Sequence, residues 1–318
     1  VLPRDTDALA MFRDGLVIAR EQGDERLVTA LLLNLANKQD GVGKVADAVA
    51  TYHEVITRAK AQQDDQNLAT AQMNLGDSLQ KLGQSRAVIP LVSEALASFQ
   101  RRGDQNGICW ALGSRGDLRW GTGDLKGARD DFEAALAERV RIGEERNIAT
   151  SRDKLARLDL AENRTAEAET LARAAVTRRR IEAEPERTGS ALVTLAIALV
   201  RLGRTQEAVD AVDEAERLAK PDPANPLAPV SPVDVALVRG LAAPAHAEAQ
   251  LAILRAAQHA PGCAECQIDA LLDEAEIERA AGHRDRARGL LVQVQRRGHA
   301  IHAEDLAARA ALLLADHP

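Results

Sequence analysis

Gly43, Gly83, Gly123, Asn163 and Gly203 stand forty residues apart without exception. Gly and Asn tolerate the left-handed backbone that ends a helix, so the series predicts five helix C-termini held in one phase. A second series, Gly23-Asp24, Gly103-Asp104 and Gly143-Glu144, lies half a period away. Each forty residues therefore contain two turns and two helices, and the repeating unit is a helical hairpin.

Seven residues before each turn of the first series comes a small residue, Ala36, Gly76, Gly116, Ala156 and Ala196, and Ala236 keeps the same forty-residue phase. Five residues after it stand Ala48, Val88, Ala128, Ala168 and Ala208, and twelve after it Val55, Ala95, Ala135, Ala175 and Ala215. Such columns predict a close helix crossing inside each hairpin. Apolar stripes at i, i+3/i+4, i+7 spacing flank them, as in Leu192, Val193, Leu195, Leu199 and Val200. One hairpin alone would leave a side of each stripe in water, so neighbours must stack and each unit supplies the core of the next.

The small-residue spacing, with Leu35, Leu75, Leu155 and Leu195 just before the first column, resembles the tetratricopeptide repeat (TPR) in its longer, forty-residue form. The resemblance covers about residues 5–220. The phrases IAREQGDERLVTALLLNLA and LASFQRRGDQNGICWALG are similar to TPR sensor regions of bacterial kinases and regulators. It implies an all-α solenoid, a superhelix of antiparallel hairpins. The expected organisation is a regular array of about five units over 1–220, a Pro-rich loop over 221–232, and degenerate units with a capping helix over 233–318. Five of the eleven prolines lie in KPDPANPLAPVSP, which no helix can cross. Beyond it Ser231 is placed to cap a helix whose first position is Pro232.

In TPR proteins the inner face is lined by fixed positions of each first helix. Carried over, that rule places Asn37, Met73, Asp77, Gln80, Trp110, Asp117, Trp120, Asp153 and Arg157 on a concave groove. Both tryptophans of the chain fall on it, as recognition anchors or as packing. Asp77, Asp117 and Asp153 would make it acidic and suited to a basic or amine-bearing ligand. Asn37 and Asn74 match the asparagines of the TPR clamp for a C-terminal carboxylate. Leu33, Trp110 and Ser114 stand where that clamp has donors, which argues against it. Asn34 and Asn74 are expected to bond backbone between units.

Composition narrows the partners. With 41 basic and 48 acidic side chains the net charge is −7, against direct nucleic-acid binding. The longest apolar run, ALVTLAIALVRL, is too short to cross a bilayer. Three cysteines form no disulfide framework and fit a reducing, cytoplasmic setting. Cys263 and Cys266 are the candidates for metal or redox chemistry, but a single CxxC lacks the second pair that a zinc site needs. Arginine clusters near the ends of second helices answer the negative helix C-terminus. No Gly-rich phosphate loop, nucleophile elbow or HExxH motif is present. The chain starts at Val1, which reads as a region excised from a longer protein. The expected function is a non-catalytic module without cofactor that binds a peptide or partner protein, as the regulatory region of a bacterial signalling protein. A small-ligand sensor controlling an attached kinase or transcription factor, or a self-assembling scaffold, are the alternatives.

Overall fold

The computed structural model describes residues 3–81, 85–218, 230–260, 264–301 and 303–315, and every regular element among them is helical. The chain divides into two compact units, Val1–Arg119 and Trp120–Pro318.

The first unit holds α1 (Pro3–Glu21), α2 (Glu25–Gly41), α3 (Val45–Gln62), α4 (Asp65–Lys81), α5 (Ser85–Arg102) and α6 (Gln105–Gly121), whose last two residues open the second unit. Consecutive helices from α1 to α5 pack on one another. At 17 residues a helix is about 26 Å long, so hairpins of this length present tall, matching faces. The small-residue columns lie at the crossings: Ala36, Ala48, Val55 and Ala95 are fully buried. A Cβ on Gly76 would meet Val88 Cγ1 at 2.7 Å, so α4 and α5 approach more closely there than an alanine allows.

The turns close with a left-handed residue, and several add a side-chain cap on the next helix. Gly23 takes φ +68 and its successor Asp24 donates its amide back to Ala19 O at 3.0 Å, closing α1 with a Schellman arrangement. The Asp24 side chain then accepts from Leu27 N at 2.9 Å and caps α2. Asp104 and Asp124 repeat that cap on Gly107 and Gly127. Gly43, Gly123, Asn163 and Gly203 have positive φ, as their phase predicts; Gly83 lies outside the described residues. The half-period series is completed by two residues that a search for glycine misses, Gln63 at φ 55 and Ala183 at φ 53.

The second unit holds α7 (Leu125–Ile142), α8 (Glu145–Ala161), α9 (Thr165–Ile181), α10 (Pro185–Arg201), α11 (Thr205–Leu218), α12 (Pro232–Ala242), a 3-10 turn at Pro244–His246, α13 (Glu248–Ala257), α14 (Ala264–Ala280), α15 (Arg284–Ile301) and α16 (Glu304–Ala315). From α8 to α11 the core is alanine and branched aliphatics: Ala156, Ala175, Leu192, Leu199, Ala208 and Val212. Residues 221–229 of the Pro-rich loop lie outside the described residues. After it Ser231 Oγ accepts from Val233 N at 3.2 Å and Pro232 opens α12, which packs on α10 and α11. Helix α14 is surrounded by α12, α13, α15 and α16.

Candidate functional site

The nine groove positions fall six in the first unit and three in the second. In the first unit Asn37 and Asn74 come together: Asn37 Oδ1 accepts from Tyr52 Oη at 2.8 Å and from Asn74 Nδ2 at 2.7 Å. Asn74 thus bonds a side chain on the preceding first helix, not the backbone bond expected from sequence. Burial, with the carboxylates of Asp40 and Asp77 nearby, holds the Tyr52 phenol protonated well above its ordinary pKa. Met73 is fully buried, so it packs in the core and offers no wall to a ligand, a correction to its expected place on the groove. The Gln80 side chain lies outside the described residues. Trp110 is half-buried with its ring 6.5 Å from that of Phe99, and Asp117 is exposed.

In the second unit Trp120 meets Phe132 edge-on at 6.4 Å, and its Nε1 is buried without a hydrogen-bond acceptor. Asp153 is buried and accepts from Thr194 Oγ1 at 3.0 Å. Arg157, half-exposed, stands 3.6 Å from Asp153 Oδ2 and donates to Ser190 Oγ at 3.1 Å. Asp153 is therefore already engaged by its own helix and the next, and adds little free charge to a groove.

Trp120 and Arg157 line a cavity of about 180 Å³ whose other walls come from α10, α12, α14 and α16. Val193, Ile197 and Leu237 give it an apolar side. Asp234, Asp269 and Asp273 give it carboxylates. A second cavity, of about 340 Å³, shares the walls formed by Leu160, Ala161, Arg201 and Arg309. Sequence reasoning missed these acids. Their signal was Asp269, Asp273 and Glu276 at i, i+4, i+7, the spacing of a core stripe occupied by carboxylates.

Because α14 has neighbours all round, its acids must find partners inside the fold. Four of five do. Arg201 grips Glu276 with both carboxylate oxygens, at 2.7 and 2.8 Å from Nη2. Arg255 donates to Glu274 at 2.8 Å, and Glu278 lies 2.7 Å from His283 Nδ1 and 3.1 Å from Arg286. Arg309 donates to Asp269 at 3.0 Å. Asp273, 2% exposed, has no hydrogen bond or ion pair among the described residues. Burial first, then the charges of Asp269 and Glu276, push its carboxyl well above the ordinary range. Asp234 is likewise without an ion pair, and burial followed by the charge of Asp269 raises it to about 6.

Cys263 lies outside the described residues; Cys266 is disulfide-bonded, and Cys109 is a buried free thiol. The arginines at the ends of second helices are engaged by specific partners: Arg139 Nη1 donates to Ser151 Oγ, Arg179 to the Arg187 carbonyl at 2.7 Å, and Arg180 to Glu214. No helix among the described residues is long and apolar enough to cross a membrane.

The chain has the fold of TPR proteins. The structure of aspartyl phosphate phosphatase F from Bacillus subtilis matches it with TM-score 0.69 at 11% identity, over 91% of this chain and 75% of that one. The Rap conjugation gene regulator of plasmid pLS20, solved in complex with the Phr* peptide, matches with TM-score 0.54 at 13% identity, over 88% of this chain and 78% of that one. A STAND protein with a tetratricopeptide repeat sensor from Pyrococcus horikoshii matches with TM-score 0.58 at 11% identity, over 86% of this chain and 43% of that one. The model of the anaphase-promoting complex subunit 5 family matches residues 19–82 and 155–224, less than half of the chain. No curated protein sequence matches it.

Proposed function

We propose that the chain is a non-catalytic interaction module that binds a peptide or a segment of a partner protein on the faces of its first helices, as the regulatory region of a larger signalling protein. The observation that carries this reading is the cavity beside Trp120 and Arg157. Two positions that the repeat rule assigns to the inner face line a space with an aromatic wall, an apolar wall and three carboxylates. The pLS20 regulator, of the same fold, is a peptide complex by its description, which supports the class of ligand. The phosphatase activity named for the Bacillus subtilis protein is not carried over, since the likeness is one of fold.

Panning a displayed peptide library on the native chain tests the proposal. Enriched peptides should bind in the micromolar range and lose tenfold or more on Trp120→Ala with helicity unchanged. A library without enrichment, or peptides indifferent to groove substitutions, would sink it. Self-association is a second reading, supported by Met11, Val17 and Ile18, exposed on α1. A concentration-dependent sedimentation coefficient abolished by Met11→Lys with Ile18→Lys would favour it.

A further inference from the structure

The ion pairs around the cavity of the second unit leave two of its carboxylates over. Its three arginines are committed: Arg201 to Glu276, Arg309 to Asp269, and Arg157 to Asp153. Two carboxylates of its lining, Asp234 and Asp273, remain without an ion pair among the described residues. Asp273 is almost wholly buried in a helix whose other described acids, Asp269, Glu274, Glu276 and Glu278, are each matched by a cation. A buried carboxylate left unpaired is destabilising, and such perturbed groups cluster at functional sites.

Three further features describe what would complete it. The Trp120 indole lines the same cavity, and an indole face attracts a cation. Val193, Ile197 and Leu237 offer an apolar wall that suits an alkyl stem and that a hydrated metal ion would not use. At about 180 Å³ the space is below the roughly 300 Å³ where sites for whole drug-sized ligands begin, and admits one side-chain-sized group.

We propose that this cavity is a receptor for one organic cation of side-chain size, a guanidinium or ammonium on a short alkyl stem, neutralised by Asp273 and Asp234 beside the Trp120 ring. The proposal deepens the peptide-binding reading and rests on it only for where the cation comes from. A basic side chain of a bound peptide and a free amine or guanidine present the same chemistry to the cavity.

Titration calorimetry on the full chain separates the cases. The probes are Nα-acetyl-arginine methylamide, its neutral isostere Nα-acetyl-citrulline methylamide, agmatine, and the capped tripeptide Ala-Arg-Ala. The arginine probe should bind at least tenfold more tightly than the citrulline one. Asp273→Asn should cut that affinity at least tenfold and Asp234→Asn by a smaller factor. Arg180→Ala, outside the cavity, should leave it unchanged. Asn at position 273 keeps the side-chain shape, and a far-ultraviolet dichroism spectrum equal to that of the native chain shows that the variant folds. Tripeptide over agmatine by tenfold or more assigns the cation to a peptide; equal affinity assigns it to a free small molecule, and the peptide reading then falls while the cavity stands. Equal binding of arginine and citrulline probes, no heat from any cation, or an Asp273→Asn variant that binds like the native chain overturns the proposal, whatever the peptide library yields.

Discussion

Helices α8–α11 and α12–α16 of the second unit solve the burial problem in opposite ways. Between α10 and α11 the contact is Ala196, Leu199, Ala208, Val212 and Ala215, all but closed to solvent and carrying no charge. Around α14 the buried set includes Asp273, Glu274, Glu276 and Glu278 beside Ile268, Leu272 and Ile277. In a regular array each first helix has one face toward its hairpin partner, one toward the next unit and one left to water, so its acids can face solvent. Helix α14 packs against four other helices, and its buried acids Glu274, Glu276 and Glu278 are met by arginines from α10, α13 and α15. Stability in the first region is set by volume, in the second by charge matching.

The sharpest way to break that contrast is to remove one half of a matched pair. Glu276 is 5% exposed. Burial alone would raise its carboxyl, but Arg201 and Arg309 outweigh it and hold it below the ordinary value. Arg201→Ala leaves this charge buried without its bidentate partner and should cost about 3–5 kcal/mol, read from urea unfolding. A group whose folded pKa is depressed contributes stability present above its unfolded pKa and lost as pH falls through the folded one. The difference between native chain and variant should accordingly shrink below about pH 4. A loss under 1 kcal/mol would show that the pair is incidental.

In the regular region the corresponding test is overpacking. Ala208 is fully buried in the second-helix column, facing α10. Ala208→Leu should cost about 1–3 kcal/mol because the crossing has no spare volume. The same change at Ala252, exposed on α13, should be nearly neutral. Both would be measured by thermal unfolding; equal effects would mean that the columns are not the tight points.

Removing the unmatched carboxylate should act with the opposite sign. Asp273→Asn keeps a polar group in place but removes the ionisable charge that burial disfavours, and should stabilise the chain by about 1 kcal/mol or more at pH 7. Its carboxyl is raised by burial and by Asp269, Glu276 and Asp234, against Arg309, with Arg157 and Arg201 on the same cavity. The native fold therefore holds a proton that the unfolded chain releases, and its stability falls as pH rises from the unfolded pKa through the folded one. The advantage of the Asn variant should grow over that window. A variant less stable than the native chain at pH 7 would mean that Asp273 is satisfied in solution.

How much of this was legible follows from what repeats. Glycines at forty-residue intervals and the alanine columns are constraints on every unit, so they recur in sequence, and among the described residues the turns at Gly43, Gly123, Asn163 and Gly203 and the cap at Ser231 and Pro232 came out where they predicted. Met73 did not: the inner-face rule describes an average helix, and here that position faces the core. The acids of α14 occur once, and nothing in the local sequence says that Arg201, 75 residues earlier, will reach Glu276. Gln63 and Ala183 were hidden because the turn imposes the left-handed conformation on residues that do not prefer it. The last point is testable. Ala183→Gly should stabilise by about 0.5–1 kcal/mol and Gly203→Ala at φ +75 should destabilise by about 1 kcal/mol, as relief and creation of the same strain. Equal signs would mean that helix propensity, not the turn, decides.

The smallest effect belongs to the arginines of the second-helix ends. Arg180 reaches both oxygens of Glu214 at 2.6 and 2.7 Å, geometry as good as that of Arg201 on Glu276. The difference is solvent: the Arg180 and Glu214 side chains are 53% and 31% exposed, against 16% and 5% for Arg201 and Glu276. In water the pair's attraction is screened and the released charges are rehydrated, so Arg180→Ala should cost no more than about 1 kcal/mol and less at high salt. The Arg201→Ala loss should persist at the same ionic strength. Unfolding both variants at low and at about 1 M salt isolates burial as the variable, since bond length and donor type are shared. If the two losses match, matching of charge contributes independently of burial, and the contrast between the repeat core and the surroundings of α14 is one of composition alone.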